Sequence, residues 1–136
     1  MSEHRFIEHR GELELELEAA DEAGIFEAAL QAFAELVSAE SEGVSEGATA
    51  RHRIDLAGSD RGVMLVDWLN ELVYLSEVEQ FMPSHVEALE VGDGRLRATI
   101  AGRRDHPRQL VKAVTFNNLR FEQERGIWHG RVVLDV

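Results

Sequence analysis

The sequence predicts one α+β domain over residues 1–136, with two main helices packed on a mixed or antiparallel β-sheet of about seven strands. Three observations carry that reading. Residues 62–75, Gly-Val-Met-Leu-Val-Asp-Trp-Leu-Asn-Glu-Leu-Val-Tyr-Leu, repeat apolar side chains at helical spacing. Residues 12–18, Glu-Leu-Glu-Leu-Glu-Leu-Glu, alternate strictly, as a strand with one buried and one wet face must. The dipeptides Asp93-Gly94 and Arg125-Gly126 then separate apolar runs as hairpin turns do.

In chain order, Phe6-Ile-Glu-His9 reads as a short opening strand, followed by the alternating strand with leucines inward and glutamates outward. Asp21 is placed to cap a helix whose Ile25, Phe26, Ala29, Leu30, Phe33, Leu36 and Val37 share one face. Residues 38–47 are polar and glycine-bearing, a loop, and residues 48–56 form the next strand. Ala57-Gly-Ser-Asp60 turns the chain into the central helix, with Ser59 or Asp60 as its cap. On that helix Leu65, Trp68, Leu69, Leu72 and Leu75 make the core stripe, widened by Met64, Val66 and Val73. Asp67, Asn70, Glu71 and Tyr74 form its one polar seam. Beyond it, residues 85–91 and 96–100 pair across Asp93-Gly94, and residues 102–109 form a charged loop. Residues 110–116, 119–123 and 128–136 complete the strands.

Composition narrows the function. A net charge of −12, from 26 acidic and 14 basic residues, repels a phosphate backbone, so direct binding of RNA or DNA is not expected. Such acidity suits a basic partner or a cation, or serves solubility alone. The absence of cysteine removes thiolate nucleophiles and thiolate metal sites. No apolar run is long enough to span a bilayer, and Met1-Ser-Glu-His-Arg5 lacks a signal peptide's apolar segment. The expected setting is cytoplasmic, without membrane contact.

Two motifs fail on context. Gly43-Val-Ser-Glu-Gly47 spells a nucleophile elbow, but it follows a helix inside a polar loop, not a strand. His4, His9, His52, His85, His106 and His129 show no metal-ligand spacing. Nothing here argues for an enzyme.

The two extremities carry more chemistry. Glu12 opens the alternating strand just after His9-Arg10-Gly11, and Asp135 precedes Val136. Should the first and last strands meet there, Glu12, Asp135 and the Val136 carboxylate converge, and such a cluster needs a proton or a cation. Oxygen-only ligands favour Ca²⁺ or Mg²⁺ over zinc. The spacing equally allows carboxylates scattered on a solvated rim.

The central Leu65-Val-Asp-Trp-Leu-Asn-Glu-Leu-Val-Tyr-Leu75, Val111-Lys-Ala-Val-Thr-Phe116 and the closing Arg131-Val-Val-Leu-Asp-Val136 resemble the archease family. Phe6-Ile-Glu-His9 and Phe26-Glu-Ala-Ala29 fit as well, so the likeness runs through nearly the whole chain. The resemblance implies a non-enzymatic protein cofactor that activates an RtcB-type, GTP-dependent RNA ligase. It would promote the ligase's guanylylation and multiple turnover in tRNA splicing and RNA repair. It also implies a divalent-metal site, Ca²⁺ first with Mg²⁺ or Mn²⁺ as alternatives, at Glu12, Asp135 and Val136. His9, Asp67 and Lys112 are its possible supports, although the polar neighbours of Asp67 on the helix favour a packing-face structural role for it, and Lys112 could equally be an ordinary edge residue. The chain departs from the family where His-Thr-Ala-Asp becomes His9-Arg10-Gly11-Glu12, and where Tyr-His becomes Phe116-Asn117. The alternatives are a general chaperone or adaptor acting through the acidic surface without metal chemistry, and a metal-dependent hydrolase. For the latter no nucleophile or paired general acid and base is in evidence.

Overall fold

The alternation at residues 12–18 lies in a strand whose Leu15 and Leu17 are buried while Glu12 and Glu18 are exposed. The computed structural model describes residues 2–38, 49–106 and 111–136. Its elements run β1 (Ser2–His9), β2 (Glu12–Ala19), α1 (Glu22–Ser38), β3 (Thr49–Ala57), α2 (Arg61–Val78), β4 (Phe81–Gly92), β5 (Arg95–Arg104), β6 (Ala113–Glu124) and β7 (Ile127–Asp135). The Gly43–Gly47 motif lies outside the described residues, as does Leu110.

The strands form two antiparallel sheets, β1-β2-β7-β6 and β3-β5-β4. The expectation of one sheet beneath the helices is refined by the helices themselves. On α2, Met64, Leu65, Val66, Trp68, Leu69, Leu72, Val73 and Leu75 are all buried, which is more of the circumference than one sheet can cover. Both helices touch both sheets: α1 packs on β1, β2, β7 and β4, and α2 on β6, β3 and β4. Leucines of β2, the alternate Leu96, Ala98 and Ile100 of β5, and both helices belong to one hydrophobic core.

Caps and turns follow local chemistry. Asp21 Oδ1 accepts from Gly24 N–H at 2.8 Å, and Asp60 Oδ1 accepts from Gly62 and Val63 N–H at 2.8 and 3.1 Å. Of the two possible caps of α2, Asp60 is the one used. Trp68 is fully buried, and its indole N–H donates to Phe26 O of α1 at 3.0 Å. The seam is real: Asp67, Asn70 and Tyr74 are exposed and Glu71 is half-buried.

Boundaries moved in three places. Gly102 to Arg104, expected in a loop, extend β5, because β4 begins at Phe81 and pairs with them. β4 takes in Pro83, which an edge strand tolerates, with register shifts on either side of Val86. The two strands expected over residues 110–123 are one, β6, irregular between Thr115 and Arg120 where Asn118 adopts φ 56°.

Candidate metal centre

Strand register brings the two ends of the chain together. The β1–β2 hairpin turns on Arg10-Gly11, with Gly11 at φ +79°, where a side chain is disfavoured. Across it His9 faces Glu12, across β2–β7 Glu12 faces Asp135, and across β7–β6 Asp135 faces Ala113. His9, Glu12, Asp135 and Ala113 thus form one cross-strand row. Two backbone bonds hold it: Val136 N–H donates to Gly11 O at 3.2 Å, and Lys112 N–H donates to Asp135 O at 2.8 Å.

The row lies on the outward face. Leu13 and Leu134 face each other one step along and join the core, so Glu12 and Asp135 point the other way. Directly opposed residues hold their Cβ atoms about 4.5–5.5 Å apart, so two exposed carboxylates sit within reach of one small cation. Like charges directly opposite one another are unfavourable until something positive joins them. His9 and Arg10, both exposed, lie beside them.

The other sequence-derived residues fall elsewhere. Asp67 stands on α2, which lies against the core side of β6, so it is not in the row. Its neighbour Asn70 does the anchoring there, its Oδ1 accepting from Val114 N–H at 3.2 Å. Lys112 is exposed and joins the corner through its backbone. Trp128 is half-buried against Phe121, centroids 5.7 Å apart, and covers the core face of its sheet. Glu16 is engaged by Arg5, and His129 Nδ1 stands 3.5 Å from Glu18.

The donor set defines the chemistry available. Among the described residues no three His, Asp or Glu side chains gather closely enough to hold a metal ion by themselves. What the register offers is the carboxylates of Glu12 and Asp135, oxygen donors only. Oxygen donors of this kind fit a hard divalent cation and not a soft one.

Two antiparallel sheets enclosing two helices, with an exposed carboxylate pair where the first hairpin meets the last strand, define a small acidic α+β domain. Its sequence matches the model of the archease protein family (MTH1598/TM1083) over residues 4–136. The chain belongs to that family. Protein archease of Methanosarcina mazei is 33% identical over 143 residues, covering 98% of this chain and 95% of the relative. The archease of Methanosarcina acetivorans is 32% identical, with the same coverage of 98% and 95%. Among solved structures, protein 1598 of Methanobacterium thermoautotrophicum superposes with a TM-score of 0.71 at 26% identity, covering 98% of each chain. An archease and possible chaperone from Thermotoga maritima superposes at 0.64 with 18% identity, covering 96% of this chain and 94% of that one. That second likeness is one of fold. No helix among the described residues is long and apolar enough to cross a membrane.

Proposed function

We propose that this chain is a non-enzymatic cofactor of an RtcB-type, GTP-dependent RNA ligase, promoting the ligase's guanylylation and repeated turnover in tRNA splicing and RNA repair. The observation that carries the reading is the register setting Glu12 opposite Asp135 beside Val136, which is what the family likeness requires of a shared metal site. Glu12, Asp135 and an α-carboxylate on Val136 would hold the ion, with Ca²⁺ preferred and Mg²⁺ or Mn²⁺ as alternatives. When bound, the ion supplies neutralisation of phosphate charge, on which guanylate transfer depends. The chain's own part is positional. The β2–β7 pairing fixes the carboxylates, Lys112 N–H fixes Asp135 from the far side, and His9 flanks Glu12.

The test is a ligase guanylylation and multiple-turnover assay with untagged protein carrying Glu12→Ala or Asp135→Ala. Both positions are exposed, so the variants retain the fold, which circular dichroism checks. Stimulation should fall to the level of the ligase alone, and residues appended after Val136 should have the same effect. Full stimulation by these variants, or stimulation indifferent to chelator, would exclude the metal site and favour a chaperone or adaptor role.

A further inference from the structure

The net charge of the chain is an average, and the fold does not distribute it evenly. On β5 the core-facing residues are Leu96, Ala98 and Ile100, so Arg95, Arg97 and Arg103 belong to the outward face of the three-stranded sheet. Register puts Arg53 opposite Thr99 and Arg51 opposite Ala101, on that same face. Five of the chain's 14 basic residues therefore share one sheet face.

The acids on that face are fewer than the arginines. Asp55 is shared between Arg95 at 3.2 Å and Arg97 at 4.0 Å. Glu87 engages Arg51 at 2.7 Å, and Glu90 stands in register with Arg97. Arg53 forms no ion pair among the described residues, and the buried Nε of Arg103 has no hydrogen-bond partner there. The face thus carries a positive surplus on a chain whose overall charge is −12. At physiological salt, charges more than about 8–10 Å away are largely screened, so a ligand on this face senses mainly the local balance. That balance is five arginines against Asp55, Glu87 and Glu90, with Asp21 and Glu22 at the edge of the cavity beside Arg95 and Arg97.

We infer that the outward face of β3-β5-β4 binds the phosphodiester backbone of a nucleic acid. Shape and composition favour this over a folded acidic protein. Among the described residues the large exposed apolar side chains are Val63, Tyr74, Val78, Phe116 and Ile127, none of them on this face. Protein interfaces are normally anchored by such buried apolar or aromatic residues, whereas a polyanion needs only cations. The arginines instead form two short lines, Arg51 with Arg53 and Arg95 with Arg97, each pair about 6.6–6.8 Å apart along its strand. The outward side of the three strands carries no Phe, Tyr or Trp to stack bases, Trp128 lying at the cavity beside Arg95 and Arg97, so the contact is with the backbone and sequence-independent. The face is argued from charge and shape alone; only the choice of RNA as first probe rests on the proposed ligase partnership.

The test uses the purified chain alone, in chelator and without ligase, so its outcome is separate from that of the metal site. Fluorescence anisotropy of labelled single-stranded RNA, with DNA of the same sequence as a second arm, should show binding that weakens steeply with salt. The double variant Arg53→Gln/Arg97→Gln should bind at least tenfold more weakly and flatten the log–log salt slope by about 1.4, from roughly 0.7 per lost contact. Arg5→Gln/Arg120→Gln, an equal charge loss on the other sheet, should change affinity less than twofold. Glu90→Gln should tighten binding two- to threefold, a gain that misfolding cannot imitate. Equal binding of RNA and DNA supports a backbone contact, and preference for RNA adds recognition of the ribose hydroxyl. The inference is overturned by no binding at low salt, by indifference to the Arg53/Arg97 pair, or by polyglutamate binding where neither nucleic acid does.

Discussion

Gly102 has no room for even one more carbon. A Cβ there would stand 2.1 Å from Met82 O and 2.9 Å from a Phe81 ring carbon, and the first of these is backbone that cannot swing aside. Gly102→Ala should therefore push β4 from β5 and destabilise the fold by about 1–3 kcal/mol or more, read from the urea midpoint. Trp68 is the opposite case, a large side chain wholly enclosed with its N–H satisfied, and Trp68→Ala should cost about 3–5 kcal/mol. Trp68 was legible in the sequence because its burial follows from a local period. Gly102 was not, because what crowds it lies twenty positions away on another strand. Glu87 shows the same limit. The hydrogen bond from Arg51 holds its carboxyl below the usual glutamate range, with lesser electrostatic help from Arg51 and His85 against a desolvation that raises it. A depressed carboxyl stabilises the fold above its unfolded pKa, and that contribution is lost as pH falls through the folded value. In Arg51→Gln, an NMR titration should find Glu87 shifted upward; an unmoved titration would deny the pairing.

At the scale of elements, caps and turns were the most readable features because their chemistry is confined to a few neighbours. Asp60 is the cleanest instance, with one carboxylate oxygen serving two N–H groups of α2. Asp60→Ala should lower stability by about 1 kcal/mol, measured by thermal or urea unfolding, while leaving the Glu12–Asp135 corner unaltered. The pairing of strands was less readable. Alternation shows that Glu12 and Leu13 face opposite ways, but not which strand lies alongside, so the meeting of β2 with β7 remained a condition to be met. Division into two sheets was hinted at by the nearly all-round apolar surface of α2, which asks for cover on more than one side. The arginine face was present as Arg51/Arg53 and Arg95/Arg97, each at a spacing of two, yet only the β3–β5 register shows that the two pairs share a side.

For the whole molecule, the charge of −12 acts as diffuse self-repulsion, while the carboxylate corner is a local version of the same strain. The two respond differently to ions, which allows them to be separated. Monovalent salt screens diffuse repulsion everywhere, so raising it from about 0.05 to about 0.5 M should raise the melting temperature of the wild type and of Asp135→Asn alike. On the proposed reading a divalent ion at the corner would bind the folded chain only, because Glu12 and Asp135 are far apart in sequence and adjacent only through the β2–β7 register. At a hundredfold excess over Kd that linkage adds about 2.7 kcal/mol, or roughly 8 °C for a domain of this size. Melting curves in Ca²⁺ at constant ionic strength should therefore show an increment in the wild type that Asp135→Asn and Glu12→Gln lose. An equal rise in all three proteins would mean that calcium acts only as a screening ion, and the corner would be two carboxylates held together by the sheet at a cost to stability.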